Sequence, residues 1–149
     1  MLSKNDAFAK CQSLDSQAIL PILKADNEWQ SFFDDLNAGI FTNFNLQTTT
    51  FWLQASDNNN DGQFIYDDGS LVTNVNFLDK ANPLSSGTCA KAQLLTTSPP
   101  KFSLDAEVCT AKSQFFCVIH PNIVVNGGPT TTTTTTPAPT GLIRLKILL

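Results

Sequence analysis

A chain of 149 residues has room for one domain with a real core, and 13 acidic against 9 basic residues leave it at a formal net charge of −4. The Lys and Arg residues stand singly along the chain, so there is no basic patch to release counterions from a phosphate backbone, and nucleic acid is excluded as a partner. No apolar run reaches the roughly 18–20 residues a membrane helix requires, and no membrane span is expected.

In chain order, Ser3 followed by Asp6 forms the pattern of a capping box. Apolar Ala7, Phe8, Cys11 and Leu14 then recur at the spacing of an amphipathic helix that turns Cys11 to the core. Ala18 to Leu20 reads as a short strand running into Pro21, an edge-type segment because proline cannot donate to a ladder. Asp26 is expected to cap a second helix that carries Trp29, Phe32, Phe33 and Leu36 as core, with Gly39 as its C-cap. Residues 40–50 are polar and Thr-rich, a connection.

The stretch 51–70 reads as two strands around a turn. Phe51-Trp52-Leu53 enters it, Asn and Asp fill its middle, Asp61-Gly62 turns the chain, and Phe64-Ile65-Tyr66 leads to a second turn at Gly69. Residues 71–77 are mixed, and residues 79–88 form a long loop around Asn82-Pro83. Cys89 to Leu95 is strand-like, Thr96 to Lys101 is a turn containing Pro99-Pro100, and Phe115 to Ile119 is an apolar final strand.

Beyond residue 121 the composition changes. Residues 122–140 hold an unbroken Thr run followed by Pro137-Ala138-Pro139, the make-up of an extended, O-glycosylated stalk or a linker. Residues 141–149 are a short apolar tail interrupted by Arg144 and Lys146. The expected organisation is therefore a domain over 1–121, a stalk over 122–140 and a tail over 141–149. No Asn-x-Ser/Thr sequon occurs.

The four cysteines, at 11, 89, 109 and 117, make no Cys-x-x-Cys, and His120 is the one histidine, so a zinc cluster is not expected. Two disulfides are the better reading, which points to a secreted or extracellular setting. The first ten residues lack a signal-peptide core, so the natural start is expected to lie elsewhere. Catalysis is not expected: His120 has no nucleophile indicated beside it, and no phosphate-binding glycine loop occurs.

The order of these elements resembles the C-type lectin-like domain, an α+β fold of two helices, small antiparallel sheets and a long loop region. Ala7 and Cys11 resemble the family's first-helix signature, and Trp52-Leu53-Gln54-Ala55 stands where the family has Trp-Ile-Gly-Leu. Asp61-Gly62-Gln63-Phe64-Ile65-Tyr66 resembles its Glu-Gly-x-Phe/Trp-x-Trp, Asp68-Gly69 its following Asp-Gly, and Phe116-Cys117 its closing strand. The resemblance spans roughly residues 3–120. It implies bridges Cys11–Cys117 and Cys89–Cys109. It also implies a strand before the first helix, which this chain does not show, so the final strand is expected to lose a pairing partner. Gln54 in place of glycine implies different packing beneath the loops.

In sugar-binding members a calcium ion bridges protein and sugar through a Glu-Pro-Asn or Gln-Pro-Asp triplet in the long loop and an Asn-Asp pair before the third cysteine. Here the triplet position reads Asn82-Pro83-Leu84 and the pair reads Asp105-Ala106. Calcium takes six to eight oxygens, and Asn82 with Asp105 supplies too few, so the calcium-dependent sugar site is expected to be lost or very weak. Asp57 and Asp61 occupy positions that hold a second calcium in some members, which makes them candidate metal ligands for at most one weakly held calcium; no cofactor is required. The same residues imitate the start of an EF-hand loop with Asp68 at its twelfth position, but strands flank them, and a hydrated Asx-type turn leads. The resemblance thus implies a non-catalytic recognition module. It would bind glycan or glycoprotein with weak or no calcium dependence or, as the alternative, recognise a protein; a bare spacer is the third reading.

Overall fold

The computed structural model describes residues 1–37, 50–59, 61–73, 78–79, 88–95 and 101–119. Gly39, Asn82-Pro83-Leu84, the Pro99-Pro100 turn, His120, the stalk and the tail lie outside the described residues.

Helix α1 spans Lys4–Leu14. The Ser3 hydroxyl accepts the Asp6 N–H at 3.2 Å and lies 2.7 Å from the Asp6 carboxylate, closing the first turn. Ala7 and Cys11 are buried on its inner face, while Phe8 and Leu14 pack at the margin. The helix ends where Asp15 turns extended, with its N–H on the Cys11 carbonyl.

Strand β1, Ala18–Ile19, pairs antiparallel with β7, Val118–Ile119, in a two-stranded sheet. Ala18 and Ile19 lie opposite Ile119 and Val118, so the closing strand has a partner in the segment after α1. The backbone of Leu2 adds a reciprocal bridge to Ser113, at 2.9 and 3.0 Å. Of the apolar run from Phe115, only the last two residues join the ladder; Phe116 instead turns into the core.

Helix α2 spans Asp26–Asn37. Its cap is not Asp26. The Ala25 carbonyl accepts the N–H groups of Glu28 and Trp29, so the helix starts one residue earlier than Asp26 as a cap would have it. The Glu28 carboxylate folds back to accept the N–H groups of Lys24 and Ala25, at 2.5 and 3.2 Å. A carboxylate at the third helical position can reach back to the N–H groups just ahead of the helix, and it also suits the positive end of the dipole.

The main sheet has strand order β3-β2-β5-β6-β4, formed by β2 (Thr50–Ser56), β3 (Ile65–Tyr66), β4 (Leu78–Asp79), β5 (Cys89–Leu95) and β6 (Lys101–Glu107). Its pairs are antiparallel except β4 on β6. Strand β6 is absent from the reading of the sequence, and Lys101 opens it instead of closing a turn. It alternates, with Phe102, Leu104 and Ala106 inward and Lys101, Ser103, Asp105 and Glu107 half-buried on the other face.

The core packs α2 against this sheet. The rings of Phe32, Phe51, Phe102 and Phe116 meet at centroid distances of 5.1–6.1 Å, in tilted or edge-on pairs that suit the ring quadrupole. Trp29 stacks at 4.9 Å from Phe102. A second cluster gathers Ala7, Cys11, Leu20, Trp52, Cys89 and Cys117, joining α1 to the sheet. Among the described residues no helix is long and apolar enough to cross a membrane.

Candidate functional site

Strand β2 leaves the core at Ser56 and enters the loop that holds Asp57 and Asp61. Asp57 is buried, and its N–H reaches the Thr88 carbonyl at 2.7 Å, tying this loop to the start of β5. One Asp57 oxygen accepts the Asp61 N–H at 3.2 Å and the other the Gly62 N–H at 2.9 Å. Asp61 accepts the Gln63 N–H and the Asn59 amide, both at 2.8 Å. All four oxygens are thus engaged within the loop, the pattern of nested Asx turns. Gly62 at φ 81° takes the left-handed conformation that this turn demands.

Below the loop, Gln54 is buried where the family pattern has glycine. Its side-chain oxygen accepts the Leu20 N–H at 3.3 Å and its amide donates to the Asp67 carboxylate. Its backbone accepts from Asp67 and donates to Pro21. The different packing is therefore a polar stitch between the segment after β1, strand β2 and the turn after β3. Lys4 joins it: its ammonium donates to the Ala55 carbonyl at 3.0 Å and lies 3.6 Å from Asp67. Burial pulls the Lys4 ammonium below the ordinary lysine range, with the Asp67 charge opposing.

Asp68, the would-be twelfth EF-hand position, is spent otherwise. It pairs with the Lys24 ammonium and accepts the N–H and hydroxyl of Ser70. Burial would raise this carboxyl, but those hydrogen bonds and the Lys24 charge hold it down at about 2.

The remaining candidate, Asp105, lies on the outer face of β6 and not in the Asp57 loop. One of its oxygens accepts the Ala106 N–H at 2.8 Å. Directly across the ladder stands Lys91, whose ammonium donates to Glu107 at 3.1 Å. Lys91 and the Val108 N–H together hold the Glu107 carboxyl below its usual range. Neither Lys91 nor Glu107 was picked out from the sequence. They lie 16 residues apart, and only the β5–β6 register brings them together. The alternation of polar residues along 101–107 is the signal that would have exposed this face.

Two disulfides frame the site. Cys89–Cys109 joins the start of β5 to the turn after β6, and Cys11–Cys117 joins α1 to the residue before β7. The Thr88 hydroxyl lies 3.3 Å from the Cys109 sulfur, holding the loop root against the first bridge.

A calcium ion, which the family resemblance implies, takes six to eight oxygens. Among the described residues no group of three or more His, Cys, Asp and Glu side chains is placed to hold a metal. The oxygens of Asp57 and Asp61 are turned onto N–H donors of their own loop, and one Asp105 oxygen accepts the Ala106 N–H. The described donors do not fit the ion.

The lectin C-type domain family matches residues 2–119. The chain belongs to that family, whose fold and members are those of recognition domains and not of enzymes. Among solved structures it is similar to the C-type lectin CEL-I from Cucumaria echinata, at 18% identity and a TM-score of 0.52, over 77% of this chain and 81% of that one. At that identity the likeness speaks for the fold. No curated protein matches significantly.

Proposed function

We propose that the domain is an extracellular recognition module that binds carbohydrate with weak or no dependence on calcium. The observation that carries the calcium part is the use of the Asp57, Asp61 and Asp105 oxygens by N–H donors of the same chain. Family membership supports recognition as the task, and two disulfides support an oxidising, extracellular setting. The contact residues proposed from the sequence are Asn82, Pro83 and Leu84 in the long loop, with Asp105. A broad glycan array probed with the whole chain, in calcium and in chelator, tests this. Retention on a defined sugar class in both buffers is expected; a silent array defeats it.

One observation favours a second reading, protein recognition. Ile65 and Leu71 are bridged neighbours at the sheet edge, and they remain 38% and 49% exposed. Adjacent exposed aliphatics suit a protein surface better than a sugar hydroxyl. A silent array together with a discrete protein partner lost on Ile65→Ser or Leu71→Ser would select this reading.

A further inference from the structure

The two disulfides differ in shelter. Cys11 and Cys117 are 0% and 1% exposed and share one buried cluster with Ala7, Leu20 and Trp52. A thiol reaches that bridge only when the domain itself opens. Cys109 is half-buried, in a turn closed by the Ala111 N–H on the Val108 carbonyl, and Val108 beside it is 44% exposed. A reductant therefore meets the second bridge at Cys109 with the fold intact. Backbone contacts hold both ends of this bridge without it. Cys89 lies in register with Ser56 and Glu107, and the Cys109 carbonyl accepts the Lys4 N–H at 3.1 Å. Beside the sulfurs stands Thr88, whose hydroxyl donates toward the Cys109 sulfur at 3.3 Å and whose carbonyl accepts the Asp57 N–H at 2.7 Å. The bridge thus bears on the Asp57–Gly62 loop through one residue.

We infer that Cys89–Cys109 is a redox switch on the Asp57–Gly62 loop: a dithiol reductant opens it selectively and slackens the loop while the domain stays folded. The attacking thiolate bonds to the Cys109 sulfur, the S–S bond breaks, and the Cys89 sulfur leaves with the bonding pair and takes up a proton. The reductant's second thiolate then attacks its own sulfur in the mixed disulfide. The Cys109 thiolate leaves beside the Thr88 hydroxyl, a ready hydrogen-bond donor, and is protonated in turn. The dithiol gives up two electrons and two protons and becomes a cyclic disulfide. Two thiols cannot keep the separation of a bonded pair, so the loop root at Thr88 widens and the Asp57 N–H loses its fixed acceptor. The chain holds no free cysteine, so the two thiols can re-form only with each other while Cys11–Cys117 is closed. Opening is therefore reversible, and it is independent of which ligand the domain binds.

The test uses the whole chain with dithiothreitol as the probe. Reduction is quenched by alkylation at a series of times and mapped by mass spectrometry, and amide hydrogen exchange is followed by NMR before and after. Cys89 and Cys109 should be labelled at least about tenfold faster than Cys11 and Cys117, as expected when one bridge needs no global opening. In the selectively reduced chain the Asp57, Asp61 and Gly62 amides should exchange at least about tenfold faster, while the amides in the middle of α1 and the far-ultraviolet circular dichroism stay unchanged. Re-oxidation should restore loop protection. Cys89→Ser/Cys109→Ser should show the same loop exchange without reductant; should it fold poorly, the selectively reduced and alkylated wild type is read in its place. Labelling of both bridges at one rate, or of Cys11–Cys117 first, overturns the inference. So does unchanged exchange at Asp57, Asp61 and Gly62, loss of protection in α1 on selective reduction, or loop protection that re-oxidation does not restore.

Discussion

At the scale of single residues, polar groups in the interior decide how the loops are held. Tyr66 is buried and donates its hydroxyl to the Leu23 carbonyl at 2.8 Å, fixing the turn after β3 to the segment before α2. Burial, with the Glu28 and Asp68 charges in the same direction, pushes the Tyr66 phenol well above its ordinary value. The folded state therefore keeps this proton after the unfolded chain has released it at about pH 10, and stability falls as pH rises beyond that value. Tyr66→Phe should cost about 1 kcal/mol near neutral pH, because the Leu23 carbonyl is left without its donor. The same variant should lose less stability than wild type above about pH 10; equilibrium denaturation at a series of pH values checks both. Lys4 works in the opposite sense. Its lowered folded value means that the unfolded state binds the extra proton, so its contribution grows as pH climbs toward 10.5. Gln54 belongs at this scale too: the sequence showed that a glycine was missing, but not that an amide would join Leu20 to Asp67.

At the scale of elements, regular periodicity made most of the fold readable. The stripe Trp29, Phe32, Phe33, Leu36 identified α2, and Cys89 to Leu95 was recognisable as β5. The start of α2 was placed on Asp26, because Asp is a favoured cap, whereas Glu28 does the work from inside the helix. Glu28→Ala should therefore destabilise the domain by about 1 kcal/mol, which urea denaturation checks. Strand β6 is hard to read in the sequence because its inward residues include a small Ala106 and its outward ones are polar or charged, so its mean character is that of a loop. Its alternation shows only when the window is read with period two. The Asp57–Gly62 loop was legible as a turn, since Asp and Asn followed by Gly carry their own hydrogen-bonding solution. The Lys91–Glu107 pair was not, because cross-strand partners depend on register and nothing local encodes register.

At the scale of the whole molecule, two covalent ties close a domain whose ends would otherwise be held by short ladders. Cys11–Cys117 spans 106 residues and fastens α1 to the closing strand, while Cys89–Cys109 spans 20 and fastens only the loop root. In the chain-entropy account the longer closure contributes about 5 kcal/mol and the shorter about 3 kcal/mol. Cys11→Ser/Cys117→Ser should thus cost more than Cys89→Ser/Cys109→Ser in reversible urea denaturation; an equal or inverted order would show that strain or residual structure outweighs loop length. The sequence by itself determined the α+β class, the two helices, the central Trp52 strand and the turn at Gly62, because each rests on local periodicity or on residues with special backbone freedom. Only the tertiary structure decided that β7 finds β1, that Gln54 and Lys4 meet Asp67, and that Lys91 pairs with Glu107. Those facts depend on residues tens of positions apart being brought side by side, and folding alone sets which of them meet.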